Sequence, residues 1–148
     1  MTTTTVWNDE LPRKVFQDDF RPGRGNALQA AVASVIGLDL ADVPNFVEHP
    51  EGYEFAVRSF SRDRNRSCIK IKLDDGVQLD KKYGGRLCLL RGKSPRGDFG
   101  HVVVARRNND KSLVKGEFQM MHDPHPDESF LDESEQFGWC MFFLPSCE

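Results

Sequence analysis

The sequence of 148 residues has no excess of positive charge: 20 lysine and arginine residues face 23 aspartate and glutamate residues, for a net charge of −3. A nucleic-acid-binding domain usually carries a strongly basic surface, so this balance argues against such a partner. No apolar run is long enough to span a bilayer. The N-terminal segment lacks the basic and apolar regions of a signal peptide. We therefore predict a cytoplasmic protein that binds neither nucleic acid nor membrane.

Close-spaced cysteine pairs are also missing, which argues against zinc-binding and redox motifs. The sequence contains four cysteines, Cys68, Cys88, Cys140 and Cys147, of which only the last two are near each other. The first three fall in or beside apolar stretches. Reduced, buried thiols acting as small hydrophobic side chains explain this placement. The segment 122–126 contains two histidines and an aspartate, but its two prolines and short spacing do not suit a metal site. We expect no metal and no cofactor.

The pattern of apolar residues predicts an α+β fold. From Asn26 to Ile36 they recur at the spacing of one helical face, and Gly37 is a natural helix stop. A second helix is predicted to begin at Pro50 and Glu51. Strand-like segments then follow at 69–73, 87–90, 102–105, 118–122 and 139–144. Helices followed by strands indicate N-terminal helices packed on a largely antiparallel sheet of about five strands.

The length predicts a single domain over residues 1–148, with a flexible N-terminus at 1–10. Residues 123–136 are acidic, contain proline and have no clear periodicity, which indicates a long surface loop. Loops of this length are often functional. The oligomeric state is not defined by any of these features.

A glycine-rich loop at 22–25 leads directly into the first predicted helix, and Ala27 lies in its first turn. The helix macrodipole and the free N–H groups at such a position would stabilise a thiolate and lower the pKa of a cysteine. The amide of residue 27 and the side chain of Gln17 are candidate donors for an oxyanion. An ordinary surface residue is the alternative for Gln17. Ala27 therefore occupies a position that is suited to a nucleophile, but its methyl group cannot attack a substrate.

His101 and Asp123 supply the remaining groups that thiol chemistry requires. His101 opens a buried strand and is a candidate base and acid, which a neighbouring carboxylate would orient. If the strands that hold His101 and Asp123 form a hairpin with the two residues opposite each other, its turn falls near Ser112. We therefore predict that Asp123 hydrogen-bonds His101. A satisfied core histidine and an ordinary turn aspartate are the alternatives.

The order Gln17, glycine loop, Ala27, His101 and Asp123 resembles papain-fold cysteine peptidases, most closely the double-glycine leader peptidases of bacteriocin ABC exporters. Segments 25–30, 37–46, 94–97, 100–103 and 122–126 also resemble a group of small, mostly uncharacterised bacterial and phage proteins, in which a cysteine stands at position 27. The resemblance implies a papain-like fold. It also implies a Cys-His-Asp thiol hydrolase or acyl transferase that acts on an amide, peptide or isopeptide bond.

Three further residues are candidates for substrate binding. Asn26 is the expected N-cap of the first helix, and Arg24 and Arg96 lie in loops that should flank the cleft. Arginines at such positions suit a carboxylate or a phosphate, although solvated surface side chains are the simpler interpretation. We expect a peptide or an amide-containing small molecule as the partner.

Ala27 leaves two explanations open. The preferred one is that alanine replaces a nucleophilic cysteine in an inactive form of the enzyme. The alternative is a natural pseudoenzyme that binds a peptide or a small molecule in the retained cleft. A third hypothesis is an interaction protein that uses the acidic loop at 123–136.

Overall fold

The computed structural model describes residues 11–21, 25–73, 79–108 and 118–145. Within them the fold is α+β, as predicted, with two α-helices, three short 3-10 turns and one five-stranded antiparallel sheet. The helices are α1 (Ala27–Ile36) and α2 (Tyr53–Arg62). The strands are β1 (Arg66–Lys72), β2 (Leu87–Lys93), β3 (Gly100–Arg107), β4 (Phe118–His122) and β5 (Trp139–Pro145).

The sheet has the order β1-β5-β2-β3-β4, with every neighbouring pair antiparallel. β2 is hydrogen-bonded on both sides. Its side chains alternate between two core clusters, one on each face of the sheet, which explains its continuous apolar run. Each predicted strand segment lies within an observed strand or extends at most one residue beyond it.

A glycine ends α1, and another glycine precedes α2. Gly37 adopts φ 85° and its N–H donates to the Ala33 carbonyl, which stops α1 as the sequence predicts. The second helix begins at Tyr53 rather than at Pro50 and Glu51. Gly52 adopts φ 92° and its N–H bonds to the His49 carbonyl, so a turn occupies the predicted first residues of the helix.

The core lies on both faces of the sheet. On one face α1 packs against the sheet through fully buried small residues, Ala30, Ala31 and Ala33, which allow the helix to approach β3 closely. On the other face a second cluster contains Leu90, Val103 and Phe142, together with Leu131 from the loop after β4. Since that loop contributes to the core, it is attached to the domain rather than extended into solvent.

The segment before α1 is tied to both the helix and β4. The Val15 N–H donates to Ser34 Oγ on α1 at 3.1 Å. Buried His122, the last residue of β4, lies with Nε2 2.7 Å from the Val15 carbonyl. The Gln17 N–H bonds to the Pro124 carbonyl at 3.0 Å. These bonds hold Gln17 beside the residues that follow β4.

In the described ranges, no single helix is long and apolar enough to cross a membrane; the one pair that meets such a test jointly, Ala27–Ile36 with Leu40–Glu48, is bent by 96°.

Leu89→Ala should destabilise the protein by about 2–5 kcal/mol, because it leaves a cavity in the central strand where Leu89 is 0% exposed. Leu11→Ala is the matched control, since Leu11 is 68% exposed and its loss should change stability by no more than about 0.5 kcal/mol. Urea unfolding followed by tryptophan fluorescence measures both. Equal effects would contradict the assignment of the core.

Acidification should weaken the anchoring of the N-terminal segment through His122. Burial lowers the pKa of His122 below 6.5, although its bond to the Val15 carbonyl opposes this shift. Below pH 6.5, His122 therefore binds a proton more readily in the unfolded chain than in the folded one. Stability is then retained above pH 6.5 and falls below it, by up to about 1.4 kcal/mol per pH unit.

His122→Gln tests this dependence, because glutamine keeps an N–H donor for Val15 and cannot titrate. Free energies of unfolding measured between pH 7 and 5 should decline less steeply in the variant than in the unaltered chain. Parallel pH profiles would show that His122 does not contribute.

Candidate active site

A cleft of about 480 Å³ opens where the N-terminus of α1 faces the start of β3. Gln17, Ala27 and His101 all line it. Three residues that are far apart in the chain are therefore brought together in one cavity, as the predicted thiol chemistry would require.

The first turn of α1 presents uncapped backbone N–H groups at this cleft. Ala27 and Leu28 line the cleft, and the side chain of Asn26, at the N-cap position, makes no capping hydrogen bond. Asn26 therefore occupies the predicted N-cap position, but its side chain does not bond the first turn of the helix backbone. N–H groups at a helix N-terminus lack intrahelical partners and carry the positive end of the dipole, so this turn favours negative charge in the cleft.

Asn26 organises the preceding loop instead. Its Oδ1 accepts hydrogen bonds from the N–H groups of Asp18 and Asp19 at 3.0 and 2.9 Å, and its Nδ2 donates to Asp18 Oδ1 at 2.6 Å. Asn26 is buried and is not among the residues that line the cleft. Its predicted contact with substrate stays a prediction, while its observed bonds set the conformation of the chain entering α1.

Gln17 is buried, with 8% of the residue exposed. Its Nε2 donates to the Asp19 carbonyl at 2.9 Å, and only the amide nitrogen can make that bond. An amide nitrogen has two hydrogens, so one N–H remains for a ligand in the cleft. Oε1 is buried and has no hydrogen-bond partner in the described part of the chain.

Gly25 allows the bond between Gln17 and the Asp19 carbonyl, because a side chain at position 25 would crowd the loop that contains Asp19. A Cβ at Gly25 would lie 3.0 Å from the Asp19 carbonyl oxygen, the acceptor of the Gln17 amide. Gly25 is therefore required for a steric reason, because a larger residue there would crowd the Asp19 carbonyl.

His101 and Asp123 form a buried hydrogen-bonded pair, with His101 Nε2 2.6 Å from Asp123 Oδ1. Asp123 also accepts from the N–H groups of His125 at 2.9 Å and Phe130 at 2.8 Å. Burial alone would raise the pKa of Asp123, but the bonds from His101 and the two backbone N–H groups outweigh it and lower that pKa.

An ionised Asp123 decides which ring nitrogen of His101 carries the proton. A carboxylate can only accept hydrogen bonds, so His101 Nε2 must donate. In the neutral imidazole the other nitrogen, Nδ1, is then the proton acceptor. His101 is therefore held in the neutral tautomer whose Nδ1 can accept a proton.

The pair does not form by the direct cross-strand opposition that the sequence suggested. Pairing between β3 and β4 ends at Val104↔His122, after an irregularity between Val104 and Ala105. His101 pairs with Gly92 on β2, and Asp123 follows the last residue of β4. The predicted turn at Ser112 lies outside the described residues. The loop after Asp123 folds back, and the Phe130 N–H donates to the Asp123 carboxylate. Contacts outside the β3–β4 pairing therefore position Asp123 against His101.

The loop at 123–136 contains no helix or strand and is fastened to the domain. Glu128 and Phe130 adopt positive φ angles of 56° and 60°. Arg96 Nη1 lies 2.9 Å from Asp127 Oδ1 and donates to Ser129 Oγ at 2.6 Å. The predicted substrate arginine Arg96 lines the cleft, but its guanidinium is engaged by this loop.

The other arginines near the cleft differ in their pairing. Arg24 lies outside the described residues. Arg21 lines the cleft, and its Nη2 lies 2.5 Å from Asp19 Oδ2. Arg91 of β2 also lines the cleft and was missed by sequence reasoning, because a charge after the run 87–90 indicates only the end of a buried segment. Its position before Gly92, the partner of His101, becomes informative only once the register is known.

An apolar rim was missed as well. Phe20, Val47 and Phe99 line the cleft and are exposed by 50%, 39% and 38%. Large apolar side chains with this exposure at a cleft mouth suit contact with apolar parts of a ligand.

None of the described cysteines lines the cleft. Burial raises the pKa of the Cys68 thiol to about 12, and burial raises that of Cys88 well above 9.0. Cys140 is buried in β5, and Cys147 lies outside the described residues. The three described thiols therefore do not substitute for a nucleophile at position 27. In the described part of the chain, no three His, Cys, Asp or Glu side chains are grouped as metal ligands.

Comparison of the chain with protein-family models, with curated proteins and with solved structures gives no match. Functional inference therefore depends on the geometry of the cleft and on the chemistry of its residues.

Asn26→Ala should destabilise the protein by about 2–4 kcal/mol, because it leaves the N–H groups of Asp18 and Asp19 without their acceptor. Asn45→Ala is the matched control, since Asn45 accepts one exposed bond from the Val47 N–H and should cost about 1 kcal/mol or less. Urea unfolding provides both values. Equal costs would contradict the organising role of Asn26.

Proposed function

We propose that this cleft has the design of a papain-like thiol hydrolase or acyl transferase acting on an amide, peptide or isopeptide bond, with Ala27 at the nucleophile position. The observation that carries the proposal is the buried His101–Asp123 pair at a cleft that also contains Gln17 and the N-terminus of α1. A hydrogen-bonded histidine and carboxylate beside an uncapped helix N-terminus suit thiolate chemistry.

In a form with a thiol at position 27, His101 Nδ1 takes the thiol proton and the sulfur attacks the amide carbonyl carbon. A C–S bond forms, and the carbonyl electron pair moves to oxygen. The residue-27 N–H and the second Nε2 hydrogen of Gln17 hold this oxyanion. When the electron pair returns, the C–N bond breaks and His101 gives its proton to the leaving amine.

The resulting thioester then accepts either water or an amine. His101 removes a proton from that nucleophile, the C–O or C–N bond forms, and the thiolate leaves and regains its proton. Hydrolysis and transfer therefore use the same groups, and access of water to the cleft decides between them. Asp123 holds the imidazolium that forms in each half-reaction.

The chain as written performs no such turnover, because the Ala27 methyl group can form no bond to substrate. This observation favours a second candidate function, a pseudoenzyme that retains the cleft as a binding module. The cleft of such a module would hold an amide carbonyl at the α1 N-terminus, with Phe20 and Phe99 against its apolar parts. Both functions predict a peptide or an amide-containing small molecule as the ligand.

Ala27→Cys should create a thiol that reacts rapidly with iodoacetamide well below pH 8, because the helix N-terminus and His101 stabilise its thiolate. Adding His101→Ala should slow alkylation at pH 6 by about tenfold or more. Peptide mapping by mass spectrometry separates position 27 from Cys68, Cys88, Cys140 and Cys147, which all variants share.

Phe55→Cys provides a matched control for the helix alone. Residue 55 is exposed in the first turn of α2, which, like α1, is ten residues long. If the thiol at position 27 reacts no faster than the thiol at position 55, and is indifferent to His101, the enzyme proposal fails. The binding module is then the remaining function for the cleft.

A further inference from the structure

Arg91 is a charged residue of the cleft that has no part in the proposed chemistry. It lies on β2, where its backbone pairs with Val102 of β3 and Trp139 of β5. Hydrogen bonding on both sides fixes the backbone of this strand. The residue is nevertheless exposed and lines the cleft. A cation at a rigid position beside a reaction site is well placed to select a ligand.

Among the described arginines that line the cleft, Arg91 is the one without a carboxylate partner. Arg21, Arg91 and Arg96 line the cleft, whereas no aspartate or glutamate is among its lining residues. Arg21 and Arg96 pair with Asp19 and Asp127. In the described part of the chain Arg91 makes no ion pair. The cleft therefore has a local excess of positive charge in a protein whose net charge is −3.

The Arg91 guanidinium packs beside two glycines, Gly100 and Gly138. A Cβ at Gly100 would lie 2.3 Å from Arg91 Nη2 and 2.6 Å from its Cζ. A Cβ at Gly138 would lie 3.8 Å from Nη1. The guanidinium therefore lies directly against Gly100, the residue before His101, and this holds the charge near the histidine.

The cleft continues past Arg91 into a shallower depression of about 280 Å³. Arg91, Phe99 and Gly100 line both cavities, so these residues mark the junction between them. Lys93 and Asp98 line the depression as well, and its farther part therefore contains both charge signs. A ligand extending from Ala27 and His101 into the depression would pass over Arg91.

We propose that Arg91 is a specificity-determining residue that binds a carboxylate of the ligand, in the form of an acidic side chain next to the amide held in the cleft. This inference rests on the proposed function, because it takes the cleft between Ala27 and His101 as the place where the amide binds. A guanidinium offers two parallel N–H donors that match one carboxylate, and such charge-assisted bonds are stronger than neutral ones.

The test uses the unaltered chain and two uncharged-terminus peptides, acetyl-Ala-Glu-amide and acetyl-Ala-Gln-amide. Titrations are followed through the arginine Nε–H signals in ¹H–¹⁵N NMR spectra. The Glu peptide should bind about tenfold more tightly and shift the Arg91 signal, because only it provides a carboxylate. In Arg91→Gln the two peptides should bind within about twofold of each other.

Two control variants distinguish a specific contact between Arg91 and the carboxylate from a general effect of positive charge on the protein. Lys72→Gln removes the same charge from an exposed position on β1, at the other edge of the sheet from β4, and should keep the preference. Arg21→Gln should keep most of it, because Arg21 is already paired with Asp19. Equal loss of preference in Arg21→Gln and Arg91→Gln would overturn the assignment to Arg91.

Further ligands identify the source of the carboxylate. Acetyl-Ala-Gln with a free C-terminus and inorganic phosphate should each bind more weakly than the Glu peptide. Tighter binding of either would overturn the assignment to an acidic side chain. Lack of preference for Glu over Gln in the unaltered chain, including lack of any binding, would overturn the proposal as a whole.

Alkylation of the Ala27→Cys variant tests the enzyme proposal, and the peptide titrations test the role of Arg91, so either proposal can be rejected without the other. A thiol without enhanced reactivity, combined with an Arg91-dependent preference for Glu, would reject the enzyme and retain the carboxylate site. A reactive thiol that depends on His101, combined with no preference for Glu, would retain the enzyme and reject the role of Arg91.

Discussion

The hydrogen bond between His101 and Asp123 is the interaction on which the site depends. It joins the start of β3 to the residue after β4, and it is buried at both ends. A buried carboxylate is costly unless it is fully hydrogen-bonded. The backbone N–H groups of His125 and Phe130 meet that need. The loop after β4 is therefore required to keep Asp123 ionised, and ionised Asp123 in turn sets the tautomer of His101.

The remaining parts of the cleft are arranged around this pair by bonds that also stabilise the fold. His122 and Pro124, on either side of Asp123, bind the backbone of Val15 and Gln17, and this places the Gln17 amide beside the cleft. Asn26 fixes the loop on the other side of Gln17 and leaves the α1 N-terminus uncapped. The same short segments thus create the core contacts and the chemical groups of the site. Ala27 stands at the position where the proposed chemistry requires a nucleophile.

Local sequence patterns predicted the α+β class and the strands, because a helical face, a two-residue alternation and a short apolar run are local properties of the chain. Features that depend on contacts between distant residues were not predictable in the same way. Asn26 has the position of a helix cap, but its partners Asp18 and Asp19 precede it by a loop. The His101–Asp123 pair was predicted from an idealised hairpin, whereas the observed pair depends on an irregular ladder and a loop that folds back. Arg91 carries no local signal, because its importance comes from the register of β2 with β3.

The protonation state of the His101 ring tests the central claim most directly. Long-range ¹H–¹⁵N correlation spectra of the histidine-labelled protein distinguish a protonated ring nitrogen from an unprotonated one. In the neutral imidazole the structure predicts a proton on Nε2, held by Asp123, and none on Nδ1. Asp123→Asn is the matched comparison, because an amide can also donate and no longer imposes this tautomer. A proton on Nδ1 with Nε2 unprotonated, or a tautomer ratio unchanged in Asp123→Asn, would contradict the account.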